Sequence, residues 1–278
     1  MTAAVATVSP GLAGVVGMLA CPVCGASFTV DAGSLRCAAG HRFDIARQGY
    51  VNLLGRAAPA NADTPGMVAA RQRFLDAGHY DPVSEAVARA LSGARRVVDV
   101  GGGTGHHLAR ALDRTPDARG LVVDVSPSAA RRAARAHPAL GAVVADTWRA
   151  LPVRASAADA VLCVFAPRNA REFARVLVPG GLLVVVTPNP GHLAEARAEL
   201  GLIGIQDDKL AAVRQALAGA FEAVATRRVH SDLRLTASEV DDLVAMGPNA
   251  FHEHAAASGS LRVSLDVQLT TFRRPAPR

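Results

Sequence analysis

Short apolar runs alternate with amphipathic stretches along most of this chain. Val97-Val98, Leu121-Val122-Val123, Val143-Val144-Ala145, Ala160 to Phe165 and Leu182 to Val186 have the near-continuous apolar character of strands covered on both faces. Between them lie helical patterns: Leu108, Ala111 and Leu112 after the first run, and the stretches 83–91 and 127–136. This alternation predicts an open, mostly parallel α/β sheet. Near the end, 223–235 and 261–273 alternate as a strand pair that closes the sheet, with a short helix over Ser238 to Met246 between them. Ahead of the sheet, Arg71, Phe74 and Leu75 predict a short helix ending at Gly78. Residues 55–69 are rich in Ala, Pro and Gly and read as a linker. Residues 1–17 read as a poorly ordered tail. The expected organisation is therefore a tail (1–17), a small module (18–54), a linker with its helix (55–82) and an α/β domain (83–278). No internal repeat is visible.

The first strand ends in the stretch VVDVGGGTGHH, Val97 to His107. Glycines at 101, 102, 103 and 105 make a turn that no side chain crowds, so backbone can approach a ligand. The dinucleotide fingerprint needs glycine where His106 stands. The form D-x-G-x-G-x-G, from Asp99, instead resembles motif I of the S-adenosylmethionine-dependent methyltransferases. Taken alone it is also consistent with an unrelated glycine-rich turn. Two further acids agree with the resemblance. Asp124 ends the second strand, placed to accept from both ribose hydroxyls. Asp146 ends the third, placed to meet the adenine amino group. The methionine portion of the cofactor would then lie over Asp99, Gly101, Gly103, Thr104 and Gly105.

Composition narrows the class. Hydrophobic residues make up 50% of 278, enough for a substantial core and against general disorder. A formal charge of +6 favours a polyanionic partner. Lys209 is the sole lysine, so arginine supplies the remaining basic charge and reflects a GC-rich coding bias as much as phosphate recognition. Aromatic residues are 4%, with Trp148 the one tryptophan, which argues against an ordinary aromatic stacking platform. No run reaches the length of a membrane span. Gly11 to Cys21 mimics a lipoprotein signal, but no basic residue precedes it. A cytoplasmic location is expected, where clustered cysteines indicate metal more often than disulfides.

Cys21, Cys24, Cys37 and His41 are spaced C-x2-C-x12-C-x3-H. Two such turns can close a tetrahedron on a structural zinc. The competing reading is a redox CxxC with an unrelated Cys and His, but no βαβ context surrounds it. So short a segment cannot bury enough apolar surface to fold alone, so metal binding would supply its folding free energy.

CPVC, CAAGHRFDIARQGYVNLL (37–54) and ARQRFLDAGHYDP (70–82), followed by the methyltransferase core, resemble the RlmA family of 23S rRNA (guanine-N1)-methyltransferases. The resemblance runs from about Met18 to the C-terminus. It implies a class I methyltransferase domain behind a zinc-binding module that recognises RNA, with S-adenosylmethionine and one zinc per chain. It implies that Tyr80 and His192 contact the cofactor. From the residues alone, Tyr80 reads equally as a hinge aromatic and His192 as an exposed loop histidine. The substrate implied is a hairpin-loop guanine of 23S ribosomal RNA lining the exit tunnel. A homodimer is implied as well. The family includes the tylosin- and mycinamicin-resistance enzymes, so macrolide resistance is the expected role. Guanine N1 carries a proton at neutral pH, so a base or a contact to O6 is required. The turn Ala166 to Asn169 lies where such a contact would be made, with Asn169 as a holder of the base edge. Arg36, Arg42, Arg47, Arg56, Arg71 and Arg73 form a candidate phosphate surface or a solvated face. Two other classes share parts of the pattern: a small-molecule methyltransferase, and a non-catalytic zinc interaction protein.

Overall fold

The structure is a computed structural model that describes residues 8–204, 209–252 and 259–276. Helix α1 (Pro10–Val15) precedes three short strands, β1 (Phe28–Asp31), β2 (Ser34–Cys37) and β3 (Arg42–Asp44), which pair antiparallel. β4 (Val51–Asn52), α2 (Pro65–Asp76) and α3 (Asp81–Ala90) lead into the alternating part. That part runs β5 (Arg96–Val100), α4 (His106–Leu112), β6 (Arg119–Asp124), α5 (Pro127–Ala133), β7 (Leu140–Val144), β8 (Ala158–Val164), α6 (Ala170–Val176) and β9 (Leu177–Pro188). After α7 (Ala194–Leu200) and α8 (Lys209–Leu217) come β10 (Glu222–Leu235), α9 (Ala237–Ala245) and β11 (Leu261–Arg273).

Eight strands form one mixed sheet in the order β10-β11-β9-β8-β5-β6-β7-β4. From β9 to β4 the pairing is parallel, and β11 lies antiparallel to both β9 and β10. The chain winds outward from β5 through β6 and β7, then returns to β8 on its other side. β5 is thus the switch point, where a crevice opens at the strands' carboxyl ends. Side chains alternate across the sheet. Leu121 and Val123 of β6 join one buried cluster, and Val122 joins the other. Strands covered on both faces need apolar residues at every position, which is the run the sequence displays.

The expected tail is ordered from Pro10. Ser9 caps α1 by accepting from the Leu12 N–H at 3.3 Å, and Pro10 holds the first turn. Leu12 and Val15 are fully buried against the sheet. A side chain at Gly11 would meet the Leu140 carbonyl oxygen at 2.1 Å, and one at Gly141 would meet Val15 at 2.5 Å. Two glycines therefore let α1 lie directly on β7. Residues 1–7 of the expected tail lie outside the described residues. The linker is also shorter than expected, because α2 begins at Pro65 behind the cap Thr64. Helices α7 and α8 occupy stretches where the apolar pattern had indicated no element.

The small N-terminal sheet does not stand apart. Val51 pairs with Val143 in parallel, so β4 extends the edge of the main sheet. The Ala20 N–H donates to the Pro152 carbonyl at 3.0 Å, and Leu19 bridges Val153. Phe28, Leu35, Ile45 and Val51 share one apolar cluster with Val98, Leu121 and Val143. The module thus draws stability from the sheet as well as from any metal.

Gly11→Ala is expected to destabilise the protein by about 1–3 kcal/mol, the cost of forcing atoms into a filled contact. Urea unfolding measures it. An unchanged midpoint would mean that residues 10–17 are loose after all.

Candidate cofactor and metal sites

The glycine turn follows β5 directly. Gly101, Gly103 and Gly105 have φ of 69°, 56° and 75°, the left-handed region that suits glycine. A Cβ at Gly102 would meet an Asp99 carboxylate oxygen at 2.5 Å, and one at Gly101 would meet the Ala166 side chain at 2.6 Å. The turn is therefore wrapped tightly over Asp99 and pressed against the turn after β8.

Asp99 is 2% exposed, and among the described residues its Oδ1 finds no hydrogen-bond partner. Burial, with the neighbouring Asp124 charge, pushes its carboxyl up to about 8. The Thr104 hydroxyl is likewise buried without a partner. Asp124 accepts from the Gly103 N–H on Oδ2 and the Ser126 N–H on Oδ1, each at 2.9 Å. Burial raises its pKa, and these two donors oppose the rise. Each oxygen keeps a second lone pair for a further donor. Asp146 is differently placed. Its Oδ2 pairs with Arg56 at 2.5 Å, and its Oδ1 accepts from the Trp148 N–H at 3.0 Å.

Tyr80 and His192 meet across the site. The Tyr80 hydroxyl lies 3.2 Å from His192 Nε2, and both side chains are buried. The Asp266 backbone N–H donates to His192 Nδ1 at 3.2 Å. A neutral ring accepting at Nδ1 carries its proton on Nε2, which then donates to Tyr80 and leaves the phenolic proton to point onward. Burial raises the Tyr80 pKa, so that proton is held. Asp266 is itself fixed by Arg228, at 2.7 and 2.9 Å, and by Asn189 at 2.8 Å. An exposed loop histidine is therefore excluded for His192. His79, by contrast, ties the end of α2 to Glu239 of α9 at 2.8 Å.

Phe165 and Asp63 carried no functional signal in the sequence, and Arg71 was expected there only as a candidate phosphate contact. Phe165 has φ of 53°, a costly conformation for an aromatic residue, and presents a partly exposed ring stacked on His192 at 5.8 Å. Arg71 reaches over the turn to 3.0 Å from where a Gly103 side chain would begin. It bonds Asp63 and donates to the Met246 carbonyl at 2.6 Å. The Asp63 carbonyl accepts from Ser126 at 2.6 Å, so residues 56–63 strap the carboxyl edge of the sheet. A Thr-Pro helix start at 64–65 was the one signal that would have extended α2 and brought Arg71 inward.

Asn169, expected as a holder of the base edge, is already engaged within the protein. Its Nδ2 donates to the Trp148 and Arg149 carbonyls at 3.2 Å each, and its Oδ1 caps α6. Of the six arginines, Arg56, Arg71 and Arg73 pair with Asp146, Asp63 and Asp242. Arg36 and Arg42 remain exposed on loose pairs with Asp31 and Asp44. The candidate phosphate surface narrows accordingly to the small N-terminal sheet. A separate cavity of about 300 Å³, lined by Asp81, Glu85, Arg89, Arg227, Arg228 and His230 among others, shares no residue with the glycine turn.

The four metal candidates converge. Cys21, Cys24, Cys37 and His41 place their ligand atoms within 4.8 Å of one another. Cys21 and Cys37 Sγ lie 3.6 and 3.4 Å from His41 Nδ1, and Cys24 and Cys37 sulfurs are 3.6 Å apart. Zinc bonds of about 2.0–2.3 Å in a tetrahedron require ligand separations of about 3.3–3.8 Å, so the donor set fits the ion.

The profile described as "RlmA, N-terminal" matches residues 19–57, and one described as "Methyltransferase domain" matches 97–181. A 23S rRNA (guanine(748)-N(1))-methyltransferase of Streptomyces fradiae is 48% identical over 277 residues, covering 95% of this chain and 99% of that protein. The chain belongs to the RlmA family. A relative from Micromonospora griseorubida is 47% identical over 285 residues, covering 92% of this RlmA-family chain and 97% of its own length. Among solved structures, a chain of the Haloferax volcanii Trm112 activator–methyltransferase complex superposes with a TM-score of 0.53. It is 20% identical and covers 78% of this chain and 100% of its own, which establishes the fold alone. The methyltransferase domain implies S-adenosylmethionine as methyl donor, and the unpartnered Asp99 and Thr104 oxygens beside a backbone-lined turn fit such a ligand. The ribbon and its Cys3His cluster imply one structural zinc.

Two outcomes are expected. Because the folded chain holds the Asp99 proton up to about pH 8 while an ordinary carboxyl releases it near 3.8, stability falls as pH rises through that window. Asp99→Asn should flatten the fall, measured by urea unfolding at pH 5 and pH 8; parallel losses in both proteins would overturn it. Elemental analysis should find one zinc per chain, and Cys37→Ser should lose the metal and lower the melting temperature of the whole chain. A metal-free protein with unchanged melting would overturn the site.

Proposed function

We propose that this chain transfers a methyl group from S-adenosylmethionine to N1 of a guanine in a hairpin loop of 23S ribosomal RNA. The observation that carries the reading is the end-to-end similarity to the Streptomyces fradiae enzyme, which spans both the ribbon and the catalytic sheet. The ribbon's exposed Arg36 and Arg42 suit phosphate contact. The proposed homodimer rests on the family resemblance, as does the macrolide-resistance role. Among the described residues, no helix is long and apolar enough to cross a membrane. A cytoplasmic location follows from the proposed substrate.

The bound donor supplies a sulfonium methyl for in-line displacement, and the protein's task is alignment. Asp99, whose proton the arriving ammonium would displace, offers a desolvated carboxylate to the donor's ammonium. Asp124 offers its remaining lone pairs to the ribose hydroxyls. The glycine turn gives backbone contacts to the methionine portion, with Thr104 at its end. Tyr80, oriented by His192, directs its phenolic proton into the same space. Asp146 exchanges Arg56 for the adenine amino group as the strap adjusts. Phe165 presents a ring face on which the flipped guanine stacks, held by a backbone conformation that costs stability. An unpaired loop guanine avoids most of the unstacking cost that a duplex would impose.

Purified protein with S-adenosylmethionine and 23S rRNA is expected to give a single primer-extension stop at a loop guanine, because an N1-methylated edge cannot pair. The stop should vanish with Asp99→Ala, and RNA affinity should fall steeply as salt rises. Methyl incorporation into a small metabolite, with no stop in the RNA, would overturn the proposal.

A further inference from the structure

Trp148 is the one tryptophan of the chain, and its side chain is 69% exposed. Its backbone is held on both sides. The N–H donates to Asp146 Oδ1 at 3.0 Å, and the carbonyl accepts from Asn169 Nδ2 at 3.2 Å. The same amide nitrogen donates to the next carbonyl, Arg149, at 3.2 Å. An indole so exposed gains nothing from the core, yet the loop carrying it is closed locally by its own Asp146 and pinned to Asn169 at the start of α6. Asp146 follows β7 at the carboxyl edge of the sheet. Asn169 ends the turn whose Ala166 presses on Gly101. The loop therefore begins at the third strand-end acid and is tied to the turn beside the cofactor site, which sets Trp148 on the rim of the cleft.

The charge around it is positive. Arg149 and Arg56 both approach the Asp146 carboxylate, at 3.6 and 2.5 Å, with exposed guanidinium groups. One carboxylate shared by two arginines leaves net positive charge at the base of the loop that carries the indole. An exposed aromatic ring on a loop with excess cationic charge suits an unpaired nucleobase with its phosphate, because stacking and phosphate contact are satisfied together. An apolar protein partner would desolvate two arginines that share a single carboxylate, leaving one positive charge uncompensated.

We propose that Trp148 is a stacking platform for an unpaired base of the RNA loop, adjacent to the guanine that is methylated, with Arg149 contacting its phosphate. This rests on the reading of the chain as an rRNA methyltransferase and adds a specificity site to it. The platform holds the strand entering the cleft, so that the neighbouring guanine is delivered unstacked to Phe165. It also explains a preference for loops, since a base inside a duplex offers no free face.

The lone tryptophan makes the test direct. Emission of the zinc-loaded protein, saturated with S-adenosylhomocysteine, is followed on addition of the 23S hairpin RNA and of the same stem closed into full duplex. Quenching by the hairpin and not by the duplex is expected. Trp148→Ala should raise the KM for RNA by roughly 5- to 100-fold, the range that loss of one base–aromatic stack produces. Its kcat at saturating RNA and its S-adenosylhomocysteine affinity should be preserved, and Trp148→Phe should restore most of the KM. Unquenched emission while the wild-type protein methylates the hairpin would overturn the platform and leave the functional reading standing. Quenching by S-adenosylhomocysteine alone would place the indole on the cofactor and also overturn it. Absence of RNA methylation by the wild-type protein would instead be the failure of the functional reading.

Discussion

An unsatisfied carboxylate beneath a glycine turn is the feature on which the rest of this structure depends. Asp99 sits at the end of the central strand, buried, with Asp124 close enough to disfavour its ionisation further. Such an arrangement costs folding free energy, and the cost is tolerated only where the surroundings fix it. Here the fixing is thorough. Gly102 lies so close over the carboxylate that no Cβ fits, and the Gly103 N–H is bound by Asp124. The sheet continues on both sides of β5. A cationic group entering this place would find a carboxylate that water does not compete for, and its attraction would be stronger for that reason.

The same sheet ties the two halves of the molecule together. A zinc ribbon of three short strands has too little apolar surface to be rigid by itself. In this chain it is not left to itself, because β4 pairs with β7 and Phe28, Leu35 and Ile45 pack into the cluster beneath Val98 and Leu121. Helix α1 completes that layer through the contact that Gly11 permits. A ribbon carried this way has a fixed position relative to the glycine turn. Phosphates gripped by the ribbon would then define where on the sheet edge the loop arrives, which a flexible linker would not achieve.

Much of this was legible in the sequence, for reasons that differ by element. The buried parallel strands were readable because being covered on both faces leaves only apolar choices, and the four metal candidates because coordination imposes a spacing. The strand-end acids were readable because the sheet's carboxyl edge is where the fold opens. Helix α1 and the start of α2 were missed although Ser9-Pro10 and Thr64-Pro65 each carry a cap followed by proline, the arrangement that also starts α5 at Ser126-Pro127. Alanine- and glycine-rich composition had suggested looseness, whereas glycine at 11 is there because the helix lies against backbone. Phe165 could not be found at all. A left-handed φ on an aromatic residue has no sequence signature, since it is imposed by the turn between β8 and α6, which presses on the glycine loop.

The arginines show how charge becomes function only through placement. Composition allowed all of them to be a solvated face. The structure divides them instead. Arg56, Arg71 and Arg73 lie along the strap and helix that cross the sheet edge, each closed onto an aspartate, so they organise the site and contribute little to the outward field. Arg36 and Arg42 pair loosely on the ribbon, where exposed ion pairs exchange readily with a stronger anion. A polyanion would therefore meet its available positive charge first on the ribbon, and only then reach the edge where Arg56 and Asp146 are paired. Opening that pair would free Asp146 for the adenine amino group proposed above and Arg56 for a phosphate. Donor and acceptor binding would thereby be coupled through one salt bridge.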